Sequence, residues 1–256
     1  MNKNNEIINN NRRQRLIKAL SVCEPLVLIL CPAVLIICAV LKIENIILLI
    51  TLVALISFIP FVIRFELKRP TPADIMPIVV LSAAAIVGRL AFIALPNVQP
   101  VTAIVIFTGI FFGRQSGFMT GAFTAIVSNM ALGQGIWTPW QMYAWGLIGF
   151  LAGVLFSRFT DDKNSKYLLE DIYPLIYIFG AISAALFSII MDVWFVIGFL
   201  RDLSISAILA AFGAGLLLNL LHVIGTVIIL ILMIQPWGRK IERINRKYGR
   251  EKLQRL

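Results

Sequence analysis

Two ionisable residues, Arg89 and Asp192, stand inside stretches that are otherwise apolar. Charge at that depth is costly, so it either pairs or faces a polar cavity. A pair would be a structural bridge between two helices. A cavity would place Arg89 or Asp192 on a ligand. The same regions carry Asn97, Gln99, Asn129, Gln134, Trp137, Thr138, Gln141, Tyr143, Trp145 and Trp194. Neutral donors and acceptors beside flat apolar faces suit a large amphipathic organic ligand. The loop Gly133-Gln134-Gly135-Ile136-Trp137-Thr138-Pro139-Trp140-Gln141 is the densest such stretch. Its lack of charge argues against an inorganic ion. An interfacial aromatic belt is the competing reading of the same loop, because Trp favours that depth anyway.

Catalytic signals are sparse. His222 is the single histidine, which excludes an HExxH zinc motif and most multi-histidine metal sites. A Ser-His dyad stays open, without the GxSxG context of a hydrolase. No GxxxxGK[ST] phosphate loop is present, so ATP is not bound by that device. Cys23, Cys31 and Cys38 form no CxxC pair, which argues against a disulfide framework or a zinc site. No metal and no covalently held cofactor are expected. Three readings of function follow: capture of an organic ligand, a membrane-embedded enzyme using His222, or a scaffold or sensor with no ligand.

The elements that must position these residues are membrane helices. Of the 256 residues, 59% are hydrophobic and only 14% charged, against nearer half and a quarter in soluble domains. The mean hydropathy is +0.90. The apolar runs are continuous, not alternating, which excludes a strand barrel. About 20 apolar residues cross a bilayer. The runs predict eight segments, over roughly 20–40, 45–63, 74–95, 100–113, 117–133, 140–158, 172–200 and 205–235. The fourth is short, and the last two are long enough to project beyond the bilayer. The expected class is an all-α integral membrane protein. Residues 1–72 would form a basic N-terminus, a transmembrane hairpin and a linker. Residues 73–235 would form a six-helix core, and 236–256 a basic tail.

Basic residues alternate between loops, as the positive-inside rule requires. Arg64, Lys68 and Arg69 follow the second segment, Arg114 the fourth, and Arg158, Lys163 and Lys166 the sixth. The tail carries Arg239, Lys240, Arg243, Arg246, Lys247, Arg250, Lys252 and Arg255. The opposite loops hold only Lys42 and Arg201. Both termini are therefore expected in the cytoplasm of a multi-pass cell-membrane protein. The formal net charge of +10 reads as cationic flanks of spans, not as a nucleic-acid surface. With that orientation, the polar and aromatic residues of the core gather toward the outside, with Arg201 and Asp202 following the seventh segment, and Asn219 and His222 lie near the middle of the eighth.

Small residues form a further pattern. Ala83, Ala84, Ala85, Gly88 and Ala91 crowd the third segment, with Ala84 and Gly88 at small-xxx-small spacing. Such spacing packs a protein's own helices or docks another membrane protein.

The core resembles the substrate-binding S components of energy-coupling factor (ECF) transporters. The likeness lies in Leu81-Ser82-Ala83-Ala84-Ala85-Ile86-Val87-Gly88-Arg89, the short second core helix, and the stretch from Ser128-Asn129 to Trp145. The Trp137-Thr138-Pro139-Trp140-Gln141 loop looks most like the branch of that family specific for cobalamin. The resemblance implies capture of a vitamin, a corrinoid such as cobalamin, from outside. Riboflavin and folate are alternatives within the family. It also implies docking on a transmembrane scaffold subunit through small residues of the first core helix, here Ala83, Ala84, Gly88 and Ala91. Two cytoplasmic ATPases would drive the cycle. The N-terminal hairpin departs from the family's six-helix pattern.

Overall fold

In the computed structural model, residues 3–40, 46–161, 169–200 and 203–248 are described, and among them every regular element is helical. The charged loop residues Lys42, Lys163, Lys166, Arg201, Asp202, Arg250, Lys252 and Arg255 lie outside the described residues. The chain forms two compact units, residues 1–70 and 71–256.

The first unit holds α1 (Lys3–Val40), α2 (Ile46–Ile56) and α3 (Ile59–Leu67). Two expectations change here. Helix α1 begins well before residue 20, running through the basic N-terminal stretch. The second apolar segment is two helices, because Pro60 stands in the first turn of α3 and has no N–H to continue a ladder from α2. Ala54, Phe61, Leu28 and Cys31 are buried between the helices. So is Glu24, whose carboxylate accepts a hydrogen bond from the Arg64 guanidinium. An ion pair in an apolar hairpin is held by its own geometry, since either charge alone would be costly to bury. Arg13 Nε donates to the carbonyl of Leu67 at 2.5 Å, closing the end of the hairpin.

The second unit contains α4 (Pro72–Ala91), α5 (Val101–Phe112), α6 (Arg114–Leu132), α7 (Thr138–Asp161), α8 (Tyr173–Phe199) and α9 (Ile205–Tyr248). A short 3-10 turn, Leu169–Ile172, leads into α8. Thr71 and Asp74 cap α4 reciprocally, and Pro72 opens it. Helix α9 continues past residue 235 into the basic tail, and Pro236 does not end it. Among the described residues, five helices are long and apolar enough to cross a membrane: the Asn11–Val34 part of α1, α4, the Thr138–Ser157 part of α7, α8, and the Ile205–Ile241 part of α9. The expected eight full spans are thus not all of spanning length.

Helix α5 shows why. Its 12 residues rise only about 18 Å at 1.5 Å each, yet residues Val101 to Phe111 are all buried. It packs against α4, α6, α7, α8 and α9. A helix wrapped by protein needs neither bilayer length nor an amphipathic face. The lipid-facing burden falls on the outer helices, where Val79, Val80 and Val87 of α4, Ile178 and Ile182 of α8 and Leu216 and Leu217 of α9 are exposed. Helices α5 and α6 are joined through Gly113 alone, at φ +89°, a conformation glycine adopts without a Cβ penalty.

Close approach of α5, α6 and α7 rests on three glycines. A Cβ on Gly149 would collide with the backbone of Gly117. One on Gly117 would meet Gly149 and Gly109, and one on Gly109 would meet Gly149. The small-residue pattern in these helices is therefore used for the protein's own packing. In α4 it divides. Ala83, Ala84 and Ala91 are exposed, whereas Gly88 is half-buried and a Cβ there would strike Pro100.

Candidate functional site

The loops after α4 and α6 gather with the helix ends that flank them at one end of the second unit. Hydrogen bonds show this directly. From the C-terminal turn of α4, Arg89 donates through Nε to Gln99 Oε1 at 3.1 Å. Its Nη1 donates to Ser128 Oγ at 2.5 Å and to Asn129 Oδ1 at 2.8 Å, both at the end of α6. Asn129 then donates both amide hydrogens, to Thr138 Oγ1 at 2.9 Å and Gln141 Oε1 at 2.8 Å. Thr138 donates onward to Gln134 Oε1 at 2.9 Å, and Gln134 Nε2 donates to the carbonyl of Ile126 at 2.8 Å. Asn129 is 1% exposed and has one acceptor and two donors engaged. Its amide orientation follows from those partners.

Arg89 is 7% exposed, and the three partners just named are neutral oxygens. Its guanidinium also lies 5.0 Å from the ring centre of Trp145. This cation–π contact and the fork of oxygens hold the charge in place without a carboxylate. The Arg89–Asp192 pair considered from sequence does not form. Asp192 on α8 instead accepts a hydrogen bond from Asn219 Nδ2 on α9 at 2.7 Å.

A second layer lies beneath. Trp145 Nε1 donates to Thr102 Oγ1 at 3.1 Å, and Thr102 Oγ1 lies 3.0 Å from His222 Nε2. The other ring nitrogen of His222 is 3.1 Å from the carbonyl oxygen of Asn97. A carbonyl only accepts, so Nδ1 carries the proton in the neutral ring and Nε2 accepts from the Thr102 hydroxyl. Asn97 itself has φ +56°, a left-handed conformation that asparagine tolerates better than most residues. His222 therefore ties the α4–α5 loop to α9. Phe187 stacks on Trp145 at 4.7 Å between ring centres and sits 5.3 Å from the His222 ring. Asp192 and Asn219 lie about one helical turn beyond this layer, toward the α8–α9 connection.

The structure thus brings together Arg89, Gln99, Asn129, Gln134, Thr138, Gln141 and Trp145, with Asn97 joined through His222. Asp192 stands in a separate pair. The aromatic residues divide in the same way. Trp145 has both faces covered, by Arg89 and Phe187, and Tyr143 is packed in the interior. Both are walls that hold the network, with no free ring face in this structure. Trp194 is buried against Phe199, and its Nε1 has no hydrogen-bond partner. Trp137 is 37% exposed and lies over Gly135, where a Cβ would strike its ring. Sequence reasoning passed over Thr102, Phe187 and the role of Ser128. A threonine in the first turn of a mostly apolar helix was the available signal for Thr102.

Replacing His222 with Phe keeps a ring but removes both hydrogen bonds. The expected loss is about 1–2 kcal/mol of stability, read as a lower unfolding temperature in detergent. An unchanged midpoint would show that the latch carries no weight.

A family model described as ECF-type riboflavin transporter, S component, matches residues 71–237. That span takes in all six helices of the second unit apart from the end of α9. The chain belongs to this family. The matching S component is of the riboflavin type, so the cobalamin likeness of the Trp137 loop is not what the match supports. The family is one of transporters and not of enzymes, which leaves the Thr102–His222 contact without a catalytic family behind it. No solved structure matches the chain. The matched region begins where the second unit begins, so the N-terminal hairpin lies outside it.

Proposed function

We propose that this S component captures riboflavin, or a flavin close to it, from the outer side of the membrane for ATP-driven uptake. The observation that carries the reading is the riboflavin-type match over residues 71–237. The chemistry of the site supports it. Riboflavin is neutral, with a flat tricyclic ring, a carbonyl-rich edge and a chain of hydroxyls. The Nη2 of Arg89 and the amide nitrogen of Gln141, beyond the bonds already named, supply donors for a carbonyl edge. The Asp192–Asn219 pair supplies an acceptor and an amide for hydroxyls. No cluster of three metal-ligating side chains occurs among the described residues.

Orientation follows from charge. The network lies at the end of the unit opposite Arg114 at the start of α6 and Arg239, Lys240 and Arg243 near the end of α9. Under the positive-inside rule, those basic ends are cytoplasmic and the network faces out. Both termini then lie inside. Because Arg89, Ser128 and Asn129 are buried, entry requires the loop from Gly133 to Trp137 to move. Gly133, at φ +113° and with open space about its Cα, stands at the start of that loop. A transmembrane scaffold subunit and two ATPases would supply the energy, with Ala83, Ala84 and Ala91 offering an exposed small-residue face on α4.

The test is uptake of labelled riboflavin by cells expressing the chain with and without a scaffold subunit and its ATPases. ATP-dependent accumulation that requires all components is expected. Accumulation unaffected by omitting this chain would overturn the proposal.

A further inference from the structure

The N-terminal unit contains a feature that the capture site does not use. A shallow, open depression of about 430 Å³ lies along α1 beside Arg64 of α3, lined by Gln14, Arg15, Ile17, Lys18, Ser21 and Arg64. Arg64 is already engaged by Glu24, so Arg15 and Lys18 set the net charge of the opening at about two positive. Both are exposed, and Gln14 and Ser21 add neutral hydrogen-bonding groups beside them. This is the chemistry of a phosphate diester: two cations with hydroxyl and amide donors.

What lies along the helix identifies the source of that phosphate. At 100° per residue, Arg15, Lys18, Val22, Leu26 and Ile29 fall within about 80° of arc on α1. Val22, Leu26 and Ile29 are all exposed. The face is therefore cationic at one end and apolar for the next three turns, within a segment long and apolar enough to cross a membrane. A soluble phosphate would use only the first part. A lipid uses both, with its headgroup at Arg15 and Lys18 and its acyl chain along Val22, Leu26 and Ile29.

We infer that the α1–α3 opening, together with the exposed α1 face that continues from it, is a binding site for an anionic phospholipid. The interfacial attraction of each basic residue corresponds to about a five-fold change in binding. Full-length protein is purified from mixed vesicles of phosphatidylglycerol and phosphatidylcholine, and retained lipid is measured by mass spectrometry. The wild-type chain is expected to retain phosphatidylglycerol preferentially. Arg15→Gln should lower that retention about five-fold, and Arg15→Gln with Lys18→Gln more than ten-fold. A control, Lys240→Gln with Arg243→Gln, removes equal charge from α9 and should leave the preference unchanged. Undiminished retention in the Arg15/Lys18 variant, or an equal loss in the control, would overturn the site. Thermal stabilisation by inorganic phosphate without any preference for phosphatidylglycerol would overturn the lipid as its occupant.

Discussion

Arg89→Met is expected to weaken riboflavin binding by about 100-fold or more. The substitution keeps a long apolar stem and removes the fork of donors. Asn129 Oδ1 and Gln99 Oε1 then lose a charged donor in a buried setting. Hydrogen bonds to charged groups are worth about 1.5–3 kcal/mol each, and about 1.4 kcal/mol is a factor of ten in affinity. In the proposed complex Arg89 gives such bonds to the carbonyl edge of the flavin, and loss of two of them gives at least two orders of magnitude in affinity, apart from the stability lost with the Gln99 and Asn129 contacts. Arg89→Lys retains charge, but a single ammonium cannot reproduce the planar fork toward Gln99, Ser128 and Asn129. It should fall between wild type and Met. Fluorescence titration of detergent-purified variants, with size-exclusion profiles to verify folding, measures the series. Wild-type affinity in folded Arg89→Met would place the site elsewhere.

The second large effect concerns folding. Gly149→Val should cost at least about 3 kcal/mol, the upper range for overpacking a close-packed core. Its Cβ would press on the backbone of Gly117, and backbone cannot swing aside as a flexible side chain can. The expected outcome is a strongly lowered unfolding temperature or no monodisperse protein. Gly213 gives the contrast, because a Cβ there meets nothing within 4 Å in the interior of α9. Gly213→Ala should be neutral or stabilise by up to about 1 kcal/mol. Equal behaviour of the two variants would contradict the packing account.

Much of this was legible in the sequence, and the reasons differ by element. Helices α7 and α8 were read closely because long apolar runs report bilayer length. The interruption between α2 and α3 was missed because composition alone does not weigh a single Pro60 within an apolar run. Helix α5 was recognised as short, but only packing explains it. Hydropathy cannot distinguish a helix surrounded by lipid from one surrounded by other helices.

The site was partly legible too. Polar residues that are rare in apolar segments, Arg89 and Asn129 among them, were found because their cost makes them conspicuous. Their partners were harder to assign. Arg89 and Asp192 have opposite charges, yet Arg89 is held by Gln99, Ser128 and Asn129, whereas Asp192 meets Asn219. Sequence gives the charges but not the rotation of each helix about its axis. The same rotation decides that Trp145 is a covered wall and Trp137 an exposed one.

The central claim is that the second unit captures a flavin. A titration of purified full-length protein with riboflavin, and with cobalamin, folate, thiamine and biotin as competitors, tests it most directly. Saturable one-to-one binding of riboflavin, undisturbed by excess of the other four, is predicted. Saturable binding of cobalamin with none of riboflavin would contradict it.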